Sequence, residues 1–583
     1  MMINFSNEQS DIINAPLEPI SVIACAGSGK TWTAVHRLIE MRRRIGEQRG
    51  RIALLSFSNV AVSTFSKIYN ELAQGISGFG RSRVEIDTLD GFISKNILNP
   101  HAVRTMQCKK LPFLIAGTEP FLKNQAFHFW IETKEGRKFP IQPNALHNVI
   151  VNFQDGIPSF LYRQHNSLLV INNAEKVVRN LGEKGAYTHE LGRYWCYRTL
   201  KEQPAILSAL VCRYPYIIID EAQDIGTSHQ AILELLIEAG VQLTLIGDPN
   251  QGIYEFAGAD GSFLSQYGRK SGVKTYPLTC NYRSILPILN VANKLSSRTD
   301  EAYRKVPVTF QGAYFISYKA DEKEQLISAF CAELQKVKLS MNKSAVLCRS
   351  RTHVDELAGR NIEAGQGIVK IFVEATILRD RAYDYNKAFN KVIRCLISLL
   401  NNPPENFMAM ISKSNGDSEM SELRRVIWEF VRNPNDGLPS AELVANKCWH
   451  SKLKNNVEKL LQTLECNFGL IPEKNLGVKL ANKSLPNTPL IPESDLVNNL
   501  RSVIRIDTVH QAKGESLDAV LYLATEKSHI QNLLNGTDTE IGRIGYVAIT
   551  RAKELLWLGV PENCIAKFRG ELINKGFIEI GRN

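Results

Sequence analysis

Residues 21–31 read SVIACAGSGKT, and the fold is decided there. Ser21, Val22 and Ile23 predict a short buried strand. Gly27, Ser28 and Gly29 allow a tight turn, and Lys30-Thr31 opens a helix. A strand, a glycine turn and a helix start make a loop whose backbone N–H groups wrap a phosphate chain. Lys30 is placed to reach the terminal phosphates and the Thr31 hydroxyl to hold Mg²⁺. The strict pattern has glycine at the first of its eight positions; here Ala24 stands there, followed by Cys25 and Ala26. An ordinary strand–turn–helix with a surface lysine would share these residues, but later segments supply the other parts an ATPase needs.

Upstream, Phe5–Ile13 (FSNEQSDII) carries Gln9. Its amide can both donate to and accept from an adenine edge. Arg51–Ser56 (RIALLS) predicts a second buried strand, ending in Phe57-Ser58-Asn59 and running into a helix. Val84–Phe92 (VEIDTLDGF) is the next candidate strand. Ligands of an open α/β sheet sit beyond the carboxyl ends of its strands. Small polar residues there can touch a sugar–phosphate backbone. Phe57 or Phe92 has a ring suited to stacking on a base, with core packing as the competing reading.

Residues 96–208 are less regular, with aromatic patches at Phe127–Trp130 and Tyr194–Tyr197. They predict a mostly helical insertion between motor strands. Tyr214–Asp224 (YPYIIIDEAQD) then returns to the sheet, with Asp220-Glu221 at the end of a buried strand. Asp220 can hold Mg²⁺, and Glu221 can orient and deprotonate an attacking water. Val241–Ile246 is another apolar strand, followed by Gly247-Asp248-Pro249-Asn250-Gln251. The Gln251 amide is placed to sense the γ-phosphate or its water. Tyr254 is a candidate relay between nucleotide and a bound strand, against the simpler reading of a tyrosine closing the core.

The second half repeats the logic. Thr275–Leu278 predicts a strand, followed by TCNYRS, in which Arg283 offers a rigid fork for phosphate oxygens and Tyr282 a ring for adenine. Ala345–Leu347 and Lys370–Glu374 are further candidate strands. A polar, helical region follows, roughly 385–498, and predicts a second insertion. Ile504–Asp507 leads into Thr508–Glu515 (TVHQAKGE), where Glu515 can receive a ribose hydroxyl or an arginine. Thr508 and His510 can communicate between phosphate and nucleic-acid sites. Ser516–Ala524 is a buried parallel strand, and Arg543–Lys553 (RIGYVAITRAK) is helix-like. Arg551 is the candidate γ-phosphate finger, stabilising charge as the terminal phosphoryl moves. A surface salt bridge is its bland alternative.

Composition sets the outer bounds. The chain has 583 residues, 44% of them hydrophobic, enough for roughly three to five domains. No run approaches the roughly 18–20 apolar residues of a membrane span, and the start MMINFSNEQS lacks signal-peptide features. The expectation is a soluble, cytoplasmic protein. Eleven cysteines with no CxxC pair suggest reduced thiols and argue against a cysteine-bound metal. The net charge of +11 favours a polyanionic partner without identifying one.

The ordered set of the glutamine segment, ACAGSGKT, DEAQD, GDPNQGIYEFAGA, NYRS, TVHQAKGE and YVAITRAK resembles the superfamily-one DNA helicases of the UvrD/Rep type. The resemblance spans essentially residues 1–560. It implies an α/β fold of two RecA-like P-loop motor domains, each interrupted by a mainly helical accessory insertion. The expected division is 1–95 with 209–275 for the first motor and 96–208 for its insertion. For the second motor it is 276–384 with 499–565, for its insertion 385–498, and for a C-terminal tail 566–583. The resemblance implies ATP and Mg²⁺ as cofactors, single-stranded or tailed duplex DNA as partner, and 3′→5′ movement with unwinding. Gln9 resembles the adenine reader; Lys30 and Thr31 the phosphate and metal contacts; Asp220 and Glu221 the catalytic acids. Gln251, Arg283, Glu515 and Arg551 resemble nucleotide sensors and cross-domain contacts. Phe57-Ser58-Asn59, Thr88, Tyr254 and His510 resemble DNA-contact or coupling residues. Two motifs depart from the pattern: Asp90-Gly91 stands where His-Ser is common, and Ala257 where Arg is common. Ala257 makes unwinding less assured than ATP hydrolysis. Repair, replication and antiviral defence are the contexts the resemblance brings, the last with a separate nuclease partner. An RNA helicase, a protein-stripping translocase and a nucleotide-gated regulator of an assembly are the alternatives.

Overall fold

The computed structural model describes residues 5–46, 48–74, 83–132, 136–154, 156–164, 167–255, 258–304, 312–357, 364–381, 383–412, 418–491 and 504–581. Ala257 lies outside these. The chain begins with α1 (Asn7–Ile13), closed by a capping box in which Ser6 accepts from the Gln9 N–H and the Gln9 side chain accepts from the Ser6 N–H. Then come β1 (Ile20–Ala24), α2 (Lys30–Ile45), β2 (Ile52–Ser56), α3 (Asn59–Ala73), β3 (Val84–Thr88) and α4 (Leu89–Ile93). The expected strand at 84–92 thus stops at Thr88, whose hydroxyl caps α4.

The first insertion carries α5 (Asn99–Met106), β4 (Val149–Gln154), β5 (Ile157–Gln164), β6 (Ser167–Val170), α6 (Ala174–Glu183) and α7 (His189–Glu202). Strands β4, β5 and β6 form an antiparallel sheet that the helical expectation lacked. Apolar runs this short do not distinguish strand from helix by periodicity alone. The chain returns to the motor through β7 (Tyr216–Asp220), α8 (Thr227–Glu238), β8 (Gln242–Gly247) and β9 (Lys274–Leu278). The first motor sheet is parallel throughout, in the order β9-β1-β8-β7-β2-β3. Its central strands are buried on both faces, which explains their unbroken apolar runs.

The second motor contributes β10 (Gly312–Tyr318) and β11 (Ser344–Cys348) before its insertion. That insertion packs α9 (Gly367–Asp380), α10 (Tyr385–Leu399), α11 (Ser418–Arg432) and α12 (His450–Phe468) around a core of their own. Lys370–Glu374, expected as a strand, lies inside α9. Val369, Phe372, Val373, Ala375, Thr376, Ile377 and Arg379 are its buried residues, so this helix is buried over much of its surface, within the insertion's own core. The helical body therefore starts before residue 385. After it come β12 (Arg505–Thr508), β13 (Leu517–Leu523), α13 (Glu540–Ile549), β14 (Ala552–Pro561), α14 (Glu562–Lys575) and β15 (Ile578–Glu579). The second sheet is also parallel, in the order β12-β11-β13-β14-β10-β15. The expected tail after 565 is instead part of this motor. Phe568 and Leu572 of α14 join its core, and β15 pairs with β10.

Candidate active site

The phosphate loop links β1 to α2. Gly27 and Gly29 both sit at positive φ, +72° and +79°. A side chain at Gly27 would also meet Arg283 Cβ at 2.6 Å, so glycine is required there twice over. Ala24 ends the strand. The Cys25 N–H donates to the Leu278 carbonyl, and its thiol donates to that of Thr279. Burial first, then nearby acids, push that thiol well up, so it is an inert anchor. Ser28 Oγ donates to the Cys25 carbonyl, and Lys30 Nζ reaches the same oxygen at 3.4 Å. Lys30 is buried at the head of α2.

The two acids emerge from β7 opposite this loop. Asp220 Oδ2 accepts from Thr31 Oγ1 at 3.4 Å, while its Oδ1 is buried with no partner among the described residues. An unsatisfied buried carboxylate oxygen beside a threonine hydroxyl suits a hard, oxygen-seeking cation. Burial, reinforced by the Glu221 charge, raises Asp220 to about 7. Burial also works to raise Glu221, but Lys30, Lys513, the Gln223 amide and Arg551 outweigh it and hold it at about 2. The surrounding cations favour the ionised form of Glu221. Its backbone is left-handed, φ +56°, a conformation costly for a side chain of this size. Gln223 braces it, donating to Glu221 Oε2 at 2.5 Å and accepting from the Asp248 N–H.

Two buried arginines close the cleft, Arg551 from the second motor and Arg283 from the segment that joins the two motors. Arg551, at the end of α13, donates to Gln251 Oε1 at 2.7 Å and to the carbonyls of Val547 and Glu515. Gln251 is held in turn by Asp248 Oδ2. Arg283 donates to the Thr550 carbonyl, but its buried Nε–H has no partner among the described residues. Burial and then the Arg551 charge lower Arg283 to about 9. Two repelling guanidinium groups and a lysine converge on a phosphate-type loop. Such a site suits a multiply charged anion.

At the other side of the loop, Gln9 is buried beside Gly29, and the Tyr282 hydroxyl donates to Gln9 Oε1 at 3.5 Å. Tyr303 packs against Tyr282 with ring centroids 4.9 Å apart. Glu515 accepts from Arg505.

The expected nucleic-acid residues divide. Ser58 and Thr88 cap α3 and α4, and Asn59 is exposed at the start of α3. Phe57 is half-buried with its ring edge-on to His229. Phe92 is 1% exposed and packs against Tyr214; as a core residue it is not available to a base. Tyr254 lies 5.7 Å from the His510 ring, and His510 Nε2 is 3.1 Å from the Ile253 carbonyl. Thr508 Oγ1 donates to Gln511. Asp90, one of the two departures, accepts a two-pronged contact from Arg193 of α7 and a bond with His229.

Sequence reading missed the buried pair of Lys513 and Asp224, 2.6 Å apart across the two motors. Lys513 also donates to the Gln251 carbonyl and lies 4.8 Å above the Tyr254 ring. Both residues stand inside quoted motifs, and only the fold shows that they meet.

Residues 5–271 match the model of the UvrD/REP helicase N-terminal domain, and residues 368–563 that of the UvrD-like helicase C-terminal domain. The chain belongs to the UvrD/Rep helicase family. It is therefore an ATP-dependent helicase enzyme, with parallel-sheet motors of the RecA-like type. YjcD of Bacillus subtilis (strain 168) is 22% identical over 96% of this chain and 79% of its own length. PcrA of Leuconostoc citreum is 23% identical over 99% of the chain and 86% of its own length, and PcrA of Staphylococcus epidermidis 23% over 95% and 83%. Both PcrA relatives are named ATP-dependent DNA helicases. Among the described residues no helix of this helicase is long and apolar enough to cross a membrane.

Proposed function

We propose that this UvrD/Rep helicase uses ATP to move 3′→5′ along single-stranded DNA and to unwind duplex ahead of it, in DNA repair or replication. Its two motors are proposed as the parallel sheets with their flanking helices, on either side of one nucleotide cleft. The observation that carries the reading is the bond from Arg551 to Gln251. It joins a γ-phosphate finger on one motor to a sensor on the other.

In this mechanism Gln9 reads the adenine edge, with Tyr282 beneath the ring. The loop from Ala24 to Thr31 wraps the phosphates, and Lys30 exchanges the Cys25 carbonyl for phosphate oxygen. Thr31 and Asp220 would hold Mg²⁺, which would supply positive charge against the phosphates. Glu221, kept ionised by the surrounding cations, orients the water and takes its proton. Arg283 and Arg551 stabilise charge on the moving phosphoryl group. Lys513 and Tyr254 pass the change to the Phe57–Asn59 and Thr88 edges, where helix N-termini suit backbone phosphates. Alternating closure of the cleft then becomes directional stepping.

The test measures ATP turnover and strand displacement by purified protein on DNA and RNA duplexes carrying 3′ or 5′ tails, with Glu221→Gln as control. Unwinding of 3′-tailed DNA, lost in the control, is expected. Stimulation by RNA alone, or turnover indifferent to nucleic acid, would replace this reading with the RNA-helicase or nucleotide-gated alternative.

A further inference from the structure

The chain crosses from one motor to the other through Thr279–Ile285, and one side chain in that crossing bonds in both directions. Asn281 is 2% exposed. Its Nδ2 donates to the Ala26 carbonyl in the phosphate loop at 2.7 Å. Its Oδ1 accepts from the N–H groups of Arg283 at 2.9 Å and Ser284 at 2.7 Å. The same crossing docks on the loop through the Tyr282 N–H, which donates to the Gly27 carbonyl. Beyond Asn281 the crossing faces the second motor. Arg283 Nη1 donates to the Thr550 carbonyl, Ser284 Oγ to that of Ala552, and the Ile285 N–H to that of Lys553.

We infer that Asn281 is a positioning residue that fixes Arg283 relative to the phosphate loop, so that the loop and the arginine move as one unit while the cleft cycles. This rests on the proposed role of Arg283 at the phosphates. The physical case is one of satisfaction and geometry. A buried amide that uses a donor on one element and an acceptor on the next holds both in register. Among the described residues Arg283 has one side-chain bond of its own and an unpartnered Nε–H. Its backbone, braced by Asn281 Oδ1, therefore sets where that N–H points. The amide also lies 3.3 Å from where a Gly27 side chain would begin, so the contact tolerates little slack.

The test is a mutant cycle in DNA-stimulated ATPase, with ADP affinity and thermal melting measured on each variant. Asn281→Ala removes both halves of the pin. Asn281→Ser keeps a short oxygen able to hold the local turn but cannot reach Ala26. Each is expected to lower kcat on the order of 10–100-fold, the scale of a misplaced catalytic group, with ADP affinity within about threefold of the parent. In an Arg283→Ala background, Asn281→Ser should cost less than about threefold more, because the two act as a unit. Parent-like turnover in Asn281→Ser, or losses that multiply in the double variant, would overturn the inference. If Arg283→Ala itself kept full turnover, the proposed phosphate role of Arg283 would fail instead. Where Asn281→Ala does not fold, the Ser variant alone decides.

Discussion

Replacing Arg551 by Ala separates a catalytic arginine from a structural one. Arg551 is 2% exposed and donates to Gln251 Oε1, the Val547 carbonyl and the Glu515 carbonyl. Truncation strands those acceptors, and a buried unsatisfied group costs about 1–3 kcal/mol. Against this, the variant no longer buries a cation, and Arg283 loses the charge that most depresses it after burial itself. The net destabilisation should therefore stay near about 1–3 kcal/mol. The catalytic loss is larger. An arginine finger contributes on the order of 10³–10⁵ in kcat, or about 4–7 kcal/mol at about 1.36 kcal/mol per decade. Steady-state ATPase with saturating single-stranded DNA should show that fall in kcat, while a denaturant melt shows a mostly folded protein. Arg551→Lys keeps a charge but not the fork, and should recover little. Arg569→Ala, which loses an exposed pair with Glu579, should leave turnover unchanged. The reasoning is refuted if Arg551→Ala keeps kcat within about threefold of the parent. It is equally refuted if kcat falls only in proportion to the folded fraction.

Three other outcomes follow from buried charge. Lys513→Met leaves Asp224 buried and unpaired, which should cost about 3–5 kcal/mol in urea unfolding; adding Asp224→Leu should restore much of that stability without restoring DNA stimulation. Arg37→Met should lose about 2–4 kcal/mol, because the fully buried guanidinium donates to the carbonyls of Ile12, Ala15 and Pro16 behind α1; since α1 carries Gln9, KM for ATP should rise as well. Burial, then the Arg193 charge, lowers His229 from 6.5 despite Asp90. Its neutral form is favoured in the fold, so its stabilising share is complete above pH 6.5 and is lost as pH falls through the lowered value. The stability of the parent minus that of His229→Asn should therefore shrink from about pH 7.5 to about pH 5.5 in urea melts; a difference that stays constant would refute the assignment.

The motor strands were legible because both faces of a parallel sheet are buried, and their apolar runs end in motif residues. The phosphate loop was legible because its glycines answer a backbone need. Helix and strand were confused where the apolar run was short. KIFVE reads either way until the window widens to Gly367–Asp380, an apolar stretch too long for a typical strand. Gly312–Tyr318 went unread, and so did α14 and β15, because neither carries a motif. Phe92 shows the limit on aromatic residues. A ring beside a polar turn looks the same in sequence whether it faces solvent or Tyr214. Pairings such as Lys513 with Asp224 depend on which strand ends face each other across the cleft, and local pattern does not encode that.

The hydrogen bonds and ion pairs between the two motor sheets gather on one short segment. Arg551 meets Gln251, and Lys513 meets Asp224 and the Gln251 carbonyl. Thr537 meets Asn250, Arg543 meets the Gly252 carbonyl and Glu255, and His510 meets the Ile253 carbonyl. All but the Asp224 contact fall on residues 250–255, where Ile253 and Tyr254 also pack against the apolar core of the second motor. Polar bonds exchange for water when a cleft opens, at a net cost of only about 0.5–1.5 kcal/mol for a typical one. The six-residue segment from Asn250 to Glu255 also holds both the γ-phosphate sensor and Tyr254. A shift at one end is therefore carried to the other along a few backbone bonds, and no separate relay is required.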